Sequence, residues 1–532
     1  MAHNVYVGMD IGTTNSCVSI LYPNGSVKVV EDELGKRVIR SAVCFKEGGK
    51  RVVGYPAVKD IAAINTGNVV MNAKRIIGLK FSDPRVKTAM ASCKAKVVEG
   101  DNGYAAFWIP VLGRKVYPEE IYAEIINTLW NMVRKQTEDK IACVAITCPA
   151  MYKNEERVAI KRAIDASVVD CEVRMLNEPC AAAIAYGCHN TDQDGLYAVY
   201  DLGGGTLDVS LIQVQNGNLL KILNWGGDPT IGGQLFDDDI VRYVRSSYQE
   251  AEGDDLLNEE DRLTNLLRYN RLLFNLSENC RLAKEELVST DETTIDIDSY
   301  IRFLMQEYQM VIEDPIEMVE NGYTLTLKIL NDMIHGYIET TIQILERCIS
   351  ESYYTLDDVD KVLLVGGSSR LRLVHDCLEK KFGVSRCSQE VNPDTVVSSG
   401  AALYAYHKIL RDITIEEPVK WDVCTMTCNR GENVYDPIIE RGSMIPATGV
   451  KDYAITSIYE GYFCDNIFEG DLRDPKTMKM LKFFACDNVT IQDDPVIVRY
   501  TFEIREDGIL HYKVEEFNTG RVLQEDTIIH TD

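Results

Sequence analysis

Long apolar runs are missing from this 532-residue chain: no stretch reaches the ~18 to 20 residues that a bilayer-spanning helix needs, so a membrane protein is not expected. The opening residues, Met1-Ala2-His3-Asn4, carry no basic segment ahead of an apolar core, and no secretory signal is expected. Basic charge is scarce. The 56 Lys and Arg against 82 Asp and Glu leave a formal net charge of −26, which opposes broad contact with nucleic acid or anionic lipid and demands a focused site for any anionic ligand. Sixteen cysteines are present but no Cys-x-x-Cys pair. Cys424 and Cys428 come nearest to a metal spacing, and no histidine pair accompanies them. Scattered through apolar stretches such as Ile141 to Cys148, the cysteines read as reduced, mostly buried thiols of a cytosolic protein. A Gly-x-x-x-x-Gly-Lys-Ser/Thr loop is also absent, which rules against a P-loop enzyme.

What is there is a globular composition, 45% hydrophobic and 26% charged, in a chain long enough for three or four folding units. Short β-prone runs open it, at Val5 to Met9, Cys17 to Leu21, Val27 to Val30 and Ser41 to Phe45. From Pro118 to Asp139, Ile121, Ile125, Leu129 and Val133 recur every four positions behind a proline and two glutamates, which predicts an amphipathic helix. It leads into Ile141 to Thr147, the continuous apolar run of a strand covered on both faces. A second strand-and-turn cycle spans Leu196 to Val214, and a long helical region is expected from about Phe236 to Leu287. Near Lys408 to Lys420 the pattern changes: Asp412-Ile413-Thr414-Ile415-Glu416-Glu417-Pro418 looks like an extended connector. Strand runs follow at Tyr453 to Tyr459, Met478 to Phe484, Val496 to Ile504 and Ile509 to Glu515, with Asp507-Gly508 as a hairpin turn. No long amphipathic helix is read beyond the connector.

An internal echo carries the chemistry. Asp10-Ile11-Gly12-Thr13-Thr14 and Asp201-Leu202-Gly203-Gly204-Gly205-Thr206 each follow an apolar strand, and Gly366-Gly367-Ser368 follows a third. Glycine turns let backbone N–H groups approach phosphate oxygens, and threonine hydroxyls add donors. Asp10, Asp201 and Asp208 suit a hydrated magnesium, which favours carboxylates reached partly through water. One such turn is an ordinary hairpin; two, with the late Gly-Gly-Ser turn, point to ATP.

With these motifs goes Asn177-Glu178-Pro179 followed by Ala181-Ala182-Ala183-Ile184-Ala185-Tyr186-Gly187, and the chain resembles the heat-shock protein 70 (DnaK-like) chaperone family over essentially its whole length. The resemblance implies an α/β, actin-like (ribonuclease H-like) two-lobed ATPase domain over residues 1–410. A linker at 411–420 and a β-sandwich peptide-binding domain at 421–532 would follow. It implies ATP/ADP and Mg2+ as cofactors. Unfolded polypeptide segments, J-domain co-chaperones, nucleotide-exchange factors and the ribosome are the implied partners. Position by position, Thr13 and Thr14 match phosphate-loop threonines and Lys74 matches the lysine that orients the attacking water. Glu178, Asp201 and Thr206 match groups around magnesium, water and γ-phosphate; Asp10 and Asp208 match outer-sphere metal ligands. Gly12, Gly203, Gly204, Gly205, Gly366, Gly367, Ser368, Arg370 and Asp394 match the walls of the nucleotide site. Pro149 and Arg157 match a proline switch and its arginine, and Arg174 an arginine near the linker that receives J-domain partners. Read alone, Lys74 is an ordinary surface charge.

Four departures qualify the resemblance. The family's adenosine helix presents a glutamate, a lysine, a stacking arginine and a serine, and here Arg281, Lys284, Glu285 and Val288 stand in those places, so only the lysine survives. Weaker ATP binding is expected. The family's linker aspartate followed by four leucines is replaced by Asp412-Ile413-Thr414-Ile415, which predicts looser docking between the lobes. The region after Tyr453 has diverged, with Met426, Cys428 and Tyr453 as groove candidates or, as the plainer alternative, core residues. The sequence finishes at His530-Thr531-Asp532, where the family's helical lid would begin, so a short member without a lid is expected. A non-hydrolysing regulatory or ribosome-associated scaffold is the second reading, and a sugar kinase on the same fold a distant third.

Overall fold

The computed structural model describes residues 4–90, 93, 95–187, 194–253, 255–257, 259–264, 266–295, 323–388, 391–410, 413–429, 432–455, 462–486, 489 and 495–527. Two mixed sheets organise the first two thirds of the chain, and they follow one plan. In the first, Asn4–Ile11 and Asn15–Leu21 form an antiparallel hairpin extended by Val27–Val29; Lys140–Cys148 and then Glu172–Asn177 add in parallel on the other side. In the second, Gly195–Leu202 and Leu207–Gln215 form the hairpin, Leu219–Asp228 extends it, and Lys361–Val365 and Cys387–Ser388 add in parallel. The echo between the two aspartate-glycine turns is therefore a repetition of a whole five-strand plan, with each turn at the same place in its sheet.

The apolar run Ile141 to Thr147 lies in a strand covered on both faces. Val144 and Ile146 enter the core of the first lobe, while Cys143 and Ala145 face a second core shared with the other lobe. The helix Pro118–Gln136 supplies much of the first core, with Ile121, Ile125, Leu129 and Val133 all buried and Glu120 Oε1 accepting from the Tyr117 N–H at 3.2 Å. The long helical region expected from Phe236 to Leu287 is instead divided into Gly233–Glu252, Glu259–Thr264 and Leu266–Glu286, because Gly253, at φ +76°, ends the first piece in a left-handed cap.

Two helices, Glu178–Ala185 and Val396–Leu410, pack between the sheets. Here the alanine-rich motif finds its physical reason. A Cβ on Gly400 would overlap the Ala181 carbonyl, and one on Gly8 would overlap Ser398 O and Ala402 N, so only small residues let the helices and the first strand lie this close.

The connector is a strand. Thr414–Pro418 pairs in parallel with Leu219–Lys221 at the edge of the second sheet and hands the ladder on to Met444–Ile445. Asp412 lies outside the described residues, but Ile413 is buried against the shared core. The looser docking expected from the missing leucines is not what the fold displays, because main-chain pairing and ion pairs described below take over from apolar side chains.

Beyond it stand two four-stranded antiparallel sheets. Glu432–Ile439, Asp422–Asn429, Phe463–Asp471 and Asp474–Cys486 form one; Ala447–Ile455, Val496–Ile504, Leu510–Glu516 and Val522–Thr527 form the other. Ile467, Phe484, Tyr500, Phe502 and Tyr512 fill the space between them. The expected strand Tyr453 to Tyr459 is described as far as Ile455, with 456–461 outside the described residues, as is His530-Thr531-Asp532. Gly508 makes the predicted turn at φ +74°. Met426 and Tyr453 are half-buried, whereas Cys428 is exposed, so a core role for Cys428 is corrected.

Candidate active site

The two glycine turns meet. A Cβ on Gly204 would lie 2.6 Å from Thr14 Oγ1, so a side chain at that position would close the gap between the lobes. Gly12 and Gly204 line one cavity of about 410 Å³ together with Asp10, Thr13, Thr14, Lys74, Pro149 and Glu178. Asp201, Gly203, Gly205, Thr206, Asp208, Gly366, Gly367 and Asp394 complete its walls. A second cavity of about 760 Å³, lined by Arg281, Lys284, Glu285, Val288, Ser368 and Arg370, shares Thr13, Thr14, Asn15, Gly204, Gly367 and Asp394 with the first. The two open into one cleft, and each part is within the size range of small-molecule sites.

Strand ends place the acids. Asp10 closes the first strand of one sheet and Asp201 the first strand of the other, with Asp208 directly across the hairpin from Asp201. Lys74 sits on the short helix Ala73–Arg75 and is buried, which corrects its reading as a surface charge. Its Nζ lies 2.6 Å from Glu178 Oε1, the first residue of the helix between the lobes. Burial works against the ammonium charge, and the Glu178 carboxylate outweighs it, holding Lys74 well above the usual lysine range. Burial, followed by the charge of Glu178, pushes Asp10 and Asp208 up to about 7. Asp201 is raised well above the carboxylate range by burial and then by Glu178, Asp208 and Asp10. Four carboxylates thus converge on one lysine.

That imbalance is the chemistry a cation relieves. Among the described residues no three His, Cys, Asp or Glu side chains are arranged to hold a bare metal ion. A hydrated Mg2+ carried on phosphate oxygens fits such an acidic recess, because Mg2+ keeps several waters and needs few protein ligands. Gly204 and Gly367 leave room for the phosphates, since a Cβ on Gly367 would stand 2.7 Å from Asp394 Oδ1.

The base end differs. Lys284 Nζ donates to Gly233 O at 2.9 Å and pairs with Asp237 at 2.7 Å. Arg281 is held between Glu278, at 3.0 Å, and Glu285, at 2.6 Å. On the opposite wall Arg370 pairs with Asp394 at 2.7 Å.

Arg157 joins the cleft to the connector. Its Nη2 donates to Asn177 Oδ1 at 2.9 Å and to Glu417 Oε1 at 3.0 Å, and its Nη1 donates to Asp507 O at 3.2 Å. Burial raises Glu417, but Arg157 and Lys420 outweigh it and hold that carboxyl below its ordinary range. Lys420 lies 5.0 Å from the ring centre of Trp225, and Lys153 lies 4.1 Å from that of Trp421. Arg174, on the strand Glu172–Asn177, pairs with Glu172 and is not among the residues lining the cleft.

Sequence reasoning passed over several neighbours. Tyr152 donates its hydroxyl to Lys74 O at 2.9 Å, Thr147 donates to Asp10 Oδ1 at 3.2 Å, and Arg75 donates to Gly205 O at 2.8 Å across the cleft. Arg75 had a usable signal, its place beside Lys74; nothing local marks Tyr152 or Thr147.

The duplicated sheets, the cleft between them and the appended β-sandwich define an actin-like two-lobed nucleotide-binding protein. The family model described as Hsp70 protein matches residues 6–531. A mitochondrial heat shock 70 kDa protein of Solanum tuberosum is 31% identical over 531 residues, covering 98% of this chain and 72% of the relative. The chain belongs to the Hsp70 family. With that membership go ATP-dependent chaperone function, ATP or ADP with Mg2+ as ligands, and unfolded polypeptides and co-chaperones as the general class of partner. The cytosolic location expected from the cysteines and the missing signal is corrected here: the relative matching nearly the whole chain is named as mitochondrial, so reduced thiols do not single out the cytosol.

Proposed function

We propose that this chain hydrolyses ATP weakly and couples that reaction to the binding of extended polypeptide segments. The buried Lys74–Glu178 pair carries the reading. A buried lysine held charged at the cavity wall, with its partner carboxylate at the start of the interlobe helix, can orient a water against the terminal phosphate. Phosphoryl transfer asks mainly for such positioning and for charge neutralisation. Bound Mg2+ supplies neutralisation of the phosphate oxygens. Asp10 and Asp208 would hold its waters, with Asp201 and Thr206 beside the water and γ-phosphate. Gly12, Thr13, Thr14 and Gly203 to Gly205 would cradle the phosphates, and Lys284, Gly366, Gly367, Ser368, Arg370 and Asp394 the nucleoside end.

Residues 1–410 act as the ATPase unit, 411–420 as the connector and 421–532 as the peptide-binding unit in this reading. Pro149 and Arg157 transmit nucleotide state to the connector, and Arg174 receives a J-domain protein; exchange factors and the ribosome complete the partners. Single-turnover hydrolysis with and without a J-domain protein tests it: Lys74→Ala should abolish turnover, and a rate indifferent to that change would defeat the proposal.

One observation favours a regulatory scaffold that holds nucleotide without turning it over. Glu278 and Glu285 occupy Arg281, so the helical wall of the base end offers paired charges where a nucleoside needs stacking and free hydrogen bonds.

A further inference from the structure

A hydrogen bond spans the two lobes beside the glycine turns. Arg75 Nη2 of the first lobe donates to Gly205 O of the second at 2.8 Å, and Arg75 lines the cavity that both turns share. Each end of this bond is fixed to its own lobe. In the first, Arg75 closes the short helix Ala73–Arg75, and Ala73, Ile76 and Ile77 around it are buried in that lobe's core. The Tyr152 hydroxyl holds the same helix through Lys74 O, and the Arg75 N–H donates to Asn72 O at 3.0 Å.

In the second lobe, the turn that carries Gly205 is closed by the Gly203 N–H donating to Thr206 O at 3.0 Å. The start of the helix Gly233–Glu252 backs it: the Gly233 N–H donates to Gly203 O at 3.0 Å and the Gln234 N–H to Gly204 O at 2.7 Å. Gly232 lies so close behind that a Cβ there would stand 2.7 Å from Gly205 N. A Cβ on Gly205 itself would stand 2.4 Å from Arg75 Nη2, so the guanidinium fills the space that a side chain on the turn would take. Asp238, on the backing helix, favours the Arg75 charge while burial works against it.

Neither anchor can follow the other, so the lobes cannot part at this point without breaking the bond. A charged donor makes it one of the stronger kind. Nucleotide held between the two turns leaves by that parting. We infer that Arg75 is a latch that keeps the lobes closed on bound nucleotide and sets the rate at which ADP leaves. It acts through the turn, as a positioning residue. The inference rests on nucleotide binding in this cleft and not on hydrolysis, so a chain that turns ATP over slowly or never tests it equally well.

The test loads the full-length chain with Mg2+ and a fluorescent ADP analogue, then follows release by stopped flow on mixing with excess unlabelled ADP. Arg75→Met keeps the apolar stem and removes the donors. Release should quicken by about tenfold to a hundredfold, the weight of a hydrogen bond made by a charged group. Gly205→Ala attacks the same bond from the other lobe, its methyl displacing the guanidinium, and should also quicken release. Because the two changes break one bond, Gly205→Ala should add less in the Arg75→Met background than in the unaltered chain. An unaltered release rate in either single variant overturns the inference, as do effects that multiply in full in the double variant.

Discussion

Asn177 and Glu178 are neighbours in the chain and serve two different charge clusters. Glu178 Oε1 takes Lys74 Nζ at 2.6 Å inside the cleft, while Asn177 Nδ2 donates to Glu417 Oε2 of the connector, also at 2.6 Å. The start of one helix therefore feels both the phosphate site and the strand that leads to the β-sandwich. The two charge clusters meet on adjacent backbone at the start of one helix.

Glu178→Gln keeps the shape of the side chain and removes its charge, leaving Lys74 buried beside a neutral amide. Single-turnover hydrolysis should fall by about 10²–10⁴-fold, the usual weight of a positioned acid–base group, while nucleotide binding measured by calorimetry persists.

The acidic recess makes stability depend on pH and magnesium. The folded pKa values of Asp10 and Asp208, about 7, lie above the ordinary carboxylate range of an unfolded chain, so the folded state binds more protons between the two. Stability without ligand should therefore fall as pH rises from about 4 to about 7. Thermal melts across that window should show the decline, and Mg2+ with nucleotide should flatten it. A melting temperature that rises across the window without ligand would contradict the cluster.

Glu417→Gln removes the anion between Arg157 and Lys420. Breaking a buried pair costs about 3–5 kcal/mol because the remaining charges are left uncompensated. The connector strand should undock, and fluorescence from Trp225 and Trp421, each with a lysine over its ring, should shift to the red before global unfolding.

Gly400→Ala would drive a methyl into the Ala181 carbonyl. Overpacking of this kind costs about 1–3 kcal/mol, and here it wedges the lobes apart. Both the chemical denaturation midpoint and nucleotide affinity should drop together, which separates this change from an effect confined to the cleft.

The base end predicts weak purine recognition. With Glu285 in the place of the stacking arginine and paired with Arg281, ATP affinity should lie about fivefold or more below that of relatives that keep the arginine, a loss of about 1–3 kcal/mol. Calorimetry should also find little preference for ATP over GTP; ordinary tight, adenine-selective binding would refute this.

The aspartate-glycine-threonine turns and the alanine-rich helix were legible in sequence because each is a local device. A strand end, a turn that tolerates no side chain and a run of small residues need only their own neighbours to be recognised. The fate of the connector was not legible. Its lost leucines suggested loose docking, yet main-chain pairing with Leu219 to Lys221 and an ion pair between residues 260 positions apart hold it in place. No local pattern reports a partner that distant. Cys428 likewise read as a groove or core candidate, since two-residue alternation tells which side chains share a face but not which face meets solvent.

By itself the sequence determined the duplicated strand-and-turn plan, the acids and glycines at its turns and the β-rich end, because hydrophobic period and backbone freedom act over a few residues. Only the tertiary structure decided that four carboxylates crowd one lysine, that Arg281 is consumed by its helix neighbours, and that Arg157 reaches Glu417. Those outcomes depend on desolvation and on distances between segments far apart in the chain, quantities that exist only once the lobes have closed on each other.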